Sequence, residues 1–115
     1  MTAAGGNLLA GLDPSARDET FTELLAAPGV RVERIVSTGQ SGPPGFWYDQ
    51  GWAEWVLLIA GSAAVQFADE AEPRRLAAGD YLYIAPGQRH RVAWTDPDEP
   101  TVWLAIHIGE TGQAG

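Results

Sequence analysis

The chain contains no cysteine and no lysine, and a single methionine among its 115 residues. Without cysteine there is no disulfide, no thiolate nucleophile and no thiolate-ligated zinc or iron–sulfur cluster. Without lysine, neither Schiff-base chemistry nor the lysine of a phosphate-binding loop is available. Long apolar runs are also missing. Although 45% of the residues are hydrophobic, no stretch approaches the roughly 18 uninterrupted apolar residues of a membrane span. The first ten residues carry no cationic segment, and Leu8, Leu9 and Ala10 are too short an apolar run for a secretory signal. A cytoplasmic protein with no membrane partner is therefore expected. Positive charge is scarce, seven arginines against fifteen acids, for a net charge of −8. The basic clusters are Arg74-Arg75 and Arg89-His90-Arg91, too little to offset repulsion from a phosphate backbone, so no nucleic-acid partner is expected.

What is present is turn chemistry between short apolar segments. Residues 1–14 are small and glycine-containing and read as a flexible arm, residues 15–108 as one barrel domain, and residues 109–115 as a loose tail. Within residues 15–27, Phe21, Leu24 and Leu25 stand at helical spacing, with acids early and Pro28-Gly29 as a stop, which predicts one short N-terminal helix. From Val30 the pattern changes to strands. Residues 30–36 mix β-branched and polar side chains, residues 37–45 form a loop rich in glycine and proline, and residues 46–50 re-enter the sheet. Residues 54–67 read as two strands meeting at Gly61-Ser62, followed by a turn at 69–73, a short strand at 74–76 and a tight turn at 78–80. Strands at 81–84, 90–95 and 101–108 complete the chain. Seven or eight short strands at this spacing point to an all-β antiparallel barrel or jelly roll.

The segment Gly79-Asp80-Tyr81-Leu82-Tyr83-Ile84-Ala85-Pro86-Gly87-Gln88-Arg89-His90 resembles the second sequence motif of the cupin superfamily. Gly79, Gly87 and His90 hold its glycine, glycine and histidine spacing. Proline stands one place late, at Pro86 instead of Ala85, and Trp94 occupies a position where many cupins carry asparagine. The first cupin motif is half present: Gly42, Glu54 and Gly61 keep its spacing, while its two histidines map onto Tyr48 and Gln50. A closer resemblance is to small bacterial cupin-domain proteins sharing the run Pro-Gly-Phe-Trp-Tyr-Asp-Gln at 44–50 and His-Arg-Val-x-Trp-Thr-Asp-Pro at 90–97. In that group acids often precede the glutamate, where this chain has Gly51, Trp52 and Ala53. The resemblance implies a cupin barrel in which Glu54 and His90 converge, with Gln50 or Tyr48 beside them.

On one extended strand over 48–58, Tyr48, Gln50, Trp52, Glu54, Val56 and Leu58 would share a face. A glutamate in so apolar a strand needs a cation or a hydrogen-bond donor. Its pairing with His90 is either structural or functional. On the last strand His107 is in phase with Trp103 and Ala105, and its facing is open. If inward, Glu54, His90 and His107, with Gln50 as a weak oxygen donor, form a set suited to a divalent metal: iron, manganese, nickel or zinc. If His107 is a wall residue, the same site can work without metal, with His90 and Glu54 as catalytic acid and base and Tyr48 as donor to a developing oxyanion. Five tryptophans exceed what the core requires, and Trp47, Trp52, Trp94 or Trp103 are candidates to line a pocket for a small, largely apolar ligand. Apolar residues on both alternations of 54–60 suggest a covered outer face and a homodimer. The leading expectation is a cupin-like enzyme centred on Glu54 and His90; the alternatives are a non-catalytic small-molecule binding or sensing barrel, and a purely structural domain.

Overall fold

The computed structural model describes residues 4–109, and between them eight β-strands. These are β1 (Thr20–Ala27), β2 (Val30–Ser37), β3 (Ala53–Ala60), β4 (Ser62–Phe67), β5 (Arg74–Ala77), β6 (Tyr81–Ile84), β7 (His90–Thr95) and β8 (Thr101–Ile108). All pair antiparallel, in a five-stranded sheet of order β1-β2-β8-β3-β6 and a three-stranded sheet of order β5-β4-β7. The expected tail falls, apart from Gly109, outside the described residues, as do the first three residues of the expected arm. Arm residues that are described run along β2, where the Arg34 guanidinium donates to the carbonyls of Leu8 (3.1 Å) and Ala10 (2.7 Å).

From β3 onward the chain steps repeatedly between the two sheets, and glycine makes the tightest step. Gly61, between β3 and β4, has φ +91°, and a Cβ there would lie 2.5 Å from Thr101 Oγ1 and 2.8 Å from the Pro100 carbonyl. Only glycine admits both that conformation and that approach. Period-two alternation then sorts each strand. On β3, Glu54, Val56 and Leu58 point between the sheets and Trp55 and Leu57 point away, in register with Trp103, Ala105 and His107 and with Leu104 and Ile106 of β8. The inward set packs against Val65, Phe67 and Leu76 of the smaller sheet as a single core. Leu58 has no exposed surface, and truncating it to alanine should cost about 2–5 kcal/mol.

The expected N-terminal helix over 15–27 is not formed; most of that segment is β1. Pro28-Gly29 does not end a helix but closes the β1–β2 hairpin, with Gly29 at φ +79° and Ala27 opposite Val30. The helical spacing of Phe21, Leu24 and Leu25 comes from a register shift between Glu23 and Leu25, which adds a residue and breaks strict alternation. Phe21, Leu24 and Leu25 are about half exposed (57%, 47% and 52%), so no core supports a helix over this segment, and it pairs with the open edge of β2 instead.

Candidate functional site

Between the sheets lies a cavity of about 140 Å³. Ile35, Val56, Val65, Ile84 and Val92 give it an apolar body, while Glu19, Glu33, Tyr48, Gln50, Glu54, His90 and His107 bring polar groups to its walls. Phe21 and Trp103 also line it. Phe21 and Tyr48, 57% and 45% exposed, stand at its open end.

His90 is set by two turns. Gly79 donates to the Leu58 carbonyl (2.8 Å) and the Asp80 carboxylate accepts from the Ala77 amide (2.8 Å), which launches β6. After β6, Gly87 at φ +76° reverses the chain, and the Gln88 side chain accepts from the Ala85 amide (3.0 Å). His90 then opens β7 at 6% exposure. Its Nδ1 lies 2.9 Å from the Gln88 carbonyl. A carbonyl only accepts, so neutral His90 carries its proton on Nδ1 and leaves a lone pair on Nε2. That nitrogen has no partner among the described residues. The Tyr48 ring stacks on the imidazole, centroids 5.5 Å apart, held there by paired backbone bonds between Tyr48 and His90 (2.8 and 3.1 Å).

His107 is also buried, at 6% exposure, and it faces inward. Both of its nitrogens are engaged. The Trp52 indole donates to Nδ1 (2.9 Å), and Nε2 lies 3.0 Å from Glu33 Oε1. An indole N–H can only donate, so Nδ1 accepts and the proton sits on Nε2, directed at the carboxylate. Glu33 is held in addition by Arg31 at 3.0 Å.

Among the described residues the two other carboxylates have no cationic partner. Glu54, 9% exposed, accepts from the Gln50 amide through Oε1 (3.1 Å). Glu19 ends a relay in which the Trp103 indole donates to Ser37 (3.2 Å) and the Ser37 hydroxyl donates to Glu19 (2.7 Å). Burial pushes the Tyr48 phenol above its ordinary value, and the charges of Glu19 and Glu54 push it further. Tyr48 therefore stays a hydrogen-bond donor at neutral pH.

The structure thus brings Tyr48, Gln50, Glu54, His90, Trp103 and His107 to one cavity. The route differs from a single strand over 48–58: Tyr48 makes an isolated bridge to His90, Gln50 accepts from the Gly87 amide (2.7 Å), and β3 starts only at Ala53. Trp52 stands behind His107 as its donor. Trp47 lies beside the Arg89 and Arg91 guanidinium groups and Trp94 beside that of Arg75, neither of them lining the cavity. Glu19, Glu33 and Ser37 were not singled out from the sequence. Glu33 was discoverable, being in phase with Ile35 on β2; Glu19 was hidden among the acids read as a helix start.

A metal of the class considered above is not matched by these donors. Among the described residues no three His, Cys, Asp or Glu side chains gather to hold an ion. With His107 saturated, the uncommitted donors are His90 Nε2, Glu54 Oε2 and the Gln50 amide oxygen, one strong ligand short of a two-histidine, one-carboxylate site.

A family model described as "Cupin domain" matches residues 33–107. Among solved structures, a candidate mannose-6-phosphate isomerase from Ralstonia eutropha JMP134 is 48% identical, superposes with a TM-score of 0.90, and covers 92% of this chain and 98% of its own. An uncharacterised conserved protein with a double-stranded β-helix domain from Klebsiella pneumoniae has 20% identity and a TM-score of 0.74 over 99% of this chain and 95% of its own. An RmlC-like cupin with that fold from Methanocaldococcus jannaschii has 15% identity and a TM-score of 0.66 over 85% and 86%. No functionally curated relative matches in sequence. Among the described residues no helix is long and apolar enough to cross a membrane.

Proposed function

Given that this chain belongs to the cupin-domain family, we propose that it is an enzyme that moves a proton within a small, largely apolar molecule held in the barrel, without a metal. The observation that carries this reading is the His90 imidazole: its Nδ1 is committed to the Gln88 carbonyl, and its Nε2 lone pair has no partner among the described residues in a largely apolar cavity. Such an imidazole is a general base with its tautomer already selected.

In this reading His90 Nε2 takes a proton from a carbon beside a carbonyl group. The Tyr48 hydroxyl, which keeps its proton, donates to the oxygen that gains charge. Glu54, held in place by Gln50, favours the imidazolium as it forms. With a β,γ-unsaturated carbonyl compound the resulting dienolate takes the proton back from Nε2 at the γ-carbon, which shifts the double bond into conjugation and restores the site.

The name of the Ralstonia protein points to sugar-phosphate isomerisation, which also relocates a proton. The phosphate does not suit this cavity. Among the described residues no arginine lines it, the chain has no lysine, and three glutamates face it. A volume near 140 Å³ suits a ligand of about benzene's size.

The test is exchange of carbon-bound protons in D₂O, followed by NMR, with a panel of small neutral and cationic carbonyl compounds. Catalysed exchange by the wild-type chain and its loss in His90→Ala supports the proposal. Binding without exchange in any compound would leave a binding or sensing barrel instead. The reading also includes a homodimer, supported by Trp55, Leu57, Leu104 and Ile106 on the outer face beside Tyr81 and Tyr83, which are 63% and 57% exposed. A monomer by sedimentation at micromolar concentration would remove that part.

A further inference from the structure

The charge inside the cavity is one-sided. Three glutamates line it, and Glu33 is neutralised by Arg31 at 3.0 Å and bound to His107. Among the described residues Glu19 is bound by a hydroxyl and Glu54 by a carboxamide, and neither group carries positive charge. Glu54 is 9% exposed, and its Oε2 has no partner among the described residues. That oxygen opens onto the cavity and is not sealed in the core, so a ligand or water in the lumen can donate to it. His90 lines the same cavity, and its Nε2, without a partner among the described residues, is a second acceptor open to a ligand. The lumen therefore offers acceptors and negative charge, set in aliphatic and aromatic walls.

Resting on the reading of the lumen as a small-molecule site, we propose that its ligand is a small monocation, a primary amine on a short apolar body, whose ammonium group sits between Glu19 and Glu54. An ammonium carries three donors and one charge, enough to satisfy Glu54 Oε2 and to neutralise part of the site's field. The apolar remainder packs on Ile35, Val56 and Trp103. The upward displacement of the Tyr48 phenol by the charges of Glu19 and Glu54 supports this placement, because both fields reach the cavity's open end. Carboxylates and phosphates of the same size are excluded by the same charges.

Three probes of one shape test the charge alone: benzylamine, benzyl alcohol and benzoate, titrated into the full chain by calorimetry. Benzylamine is expected to bind at least about tenfold more tightly than benzyl alcohol, with no detectable benzoate binding. Glu19→Gln and Glu54→Gln, each nearly isosteric, are each expected to weaken benzylamine about tenfold and leave benzyl alcohol unchanged. Retained alcohol binding shows that the variant cavity is intact. Benzylamine binding no tighter than the alcohol, or insensitive to both substitutions, overturns the cation proposal and leaves the small-molecule site standing. Failure of all three probes to bind overturns both. Amine binding without proton exchange in D₂O removes the catalytic reading while the cation site survives.

Discussion

The chain's two histidines stand in one cavity, equally buried and oppositely wired. His107 is closed on both sides, between an indole that donates and a carboxylate that accepts. His90 is closed on one side only, by a backbone carbonyl that holds its tautomer. The difference teaches that burial and inward facing do not make a ligand or a base; an uncommitted nitrogen does. His107 reads as a structural tie between β8, β2 and the turn before β3, whereas His90 reads as the reactive group.

The largest effect expected from breaking this contrast is on activity. His90→Ala should lower catalysed exchange by about 10²–10⁴-fold, the usual share of a general base, while a chain lacking only the His107 imidazole should retain Nε2 chemistry at His90. That second variant, His107→Ala, should instead lower stability by about 3 kcal/mol, since it leaves the buried Trp52 donor without its acceptor and removes one of the bonds to Glu33; denaturant unfolding measures it. Trp52→Phe is a gentler probe, retaining the ring and removing the donor, with an expected loss of about 1 kcal/mol. Nitrogen-15 NMR should show opposite neutral tautomers, Nδ1–H at His90 and Nε2–H at His107, and finding the same tautomer at both would collapse the comparison. The smallest effect concerns Tyr48. Burial and the two carboxylates hold its phenol above 10.0, so the folded chain keeps that proton where the unfolded chain releases it. The stabilisation is complete below pH 10.0 and is lost as pH rises through the folded value. Tyr48→Phe should flatten the alkaline decline of unfolding free energy.

Strands 81–84, 90–95 and 101–108 were legible to the residue, because glycine and proline turns bracket short alternating runs. Glu54, Gln50, Tyr48 and His90 were legible through the cupin resemblance, and the cavity unites them. What stayed hidden depends on contacts made far along the chain. The facing of His107 could not be read from β8, where apolar residues occupy both alternations; the register with Glu54 and Arg31 decides it. Whether its nitrogens are free depends on Trp52, 55 residues away. The bulge in β1 likewise imitates helical spacing, and its edge-strand pairing is a tertiary effect that local propensity does not encode.

The family match begins at residue 33, beyond the whole of β1. Yet β1 and the residue before it contribute Glu19 and Phe21 to the cavity. The shared barrel supplies His90 and Glu54, and a peripheral hairpin arm supplies half of the proposed ammonium clamp. Ligand preference in such an arrangement is modular: exchanging residues 19–27 between related barrels would retune what enters while leaving the reactive wall untouched. Removing that arm would carry a hazard, because a barrel shortened to begin at β2 would present the amides and carbonyls that pair with β1 as a template for self-association.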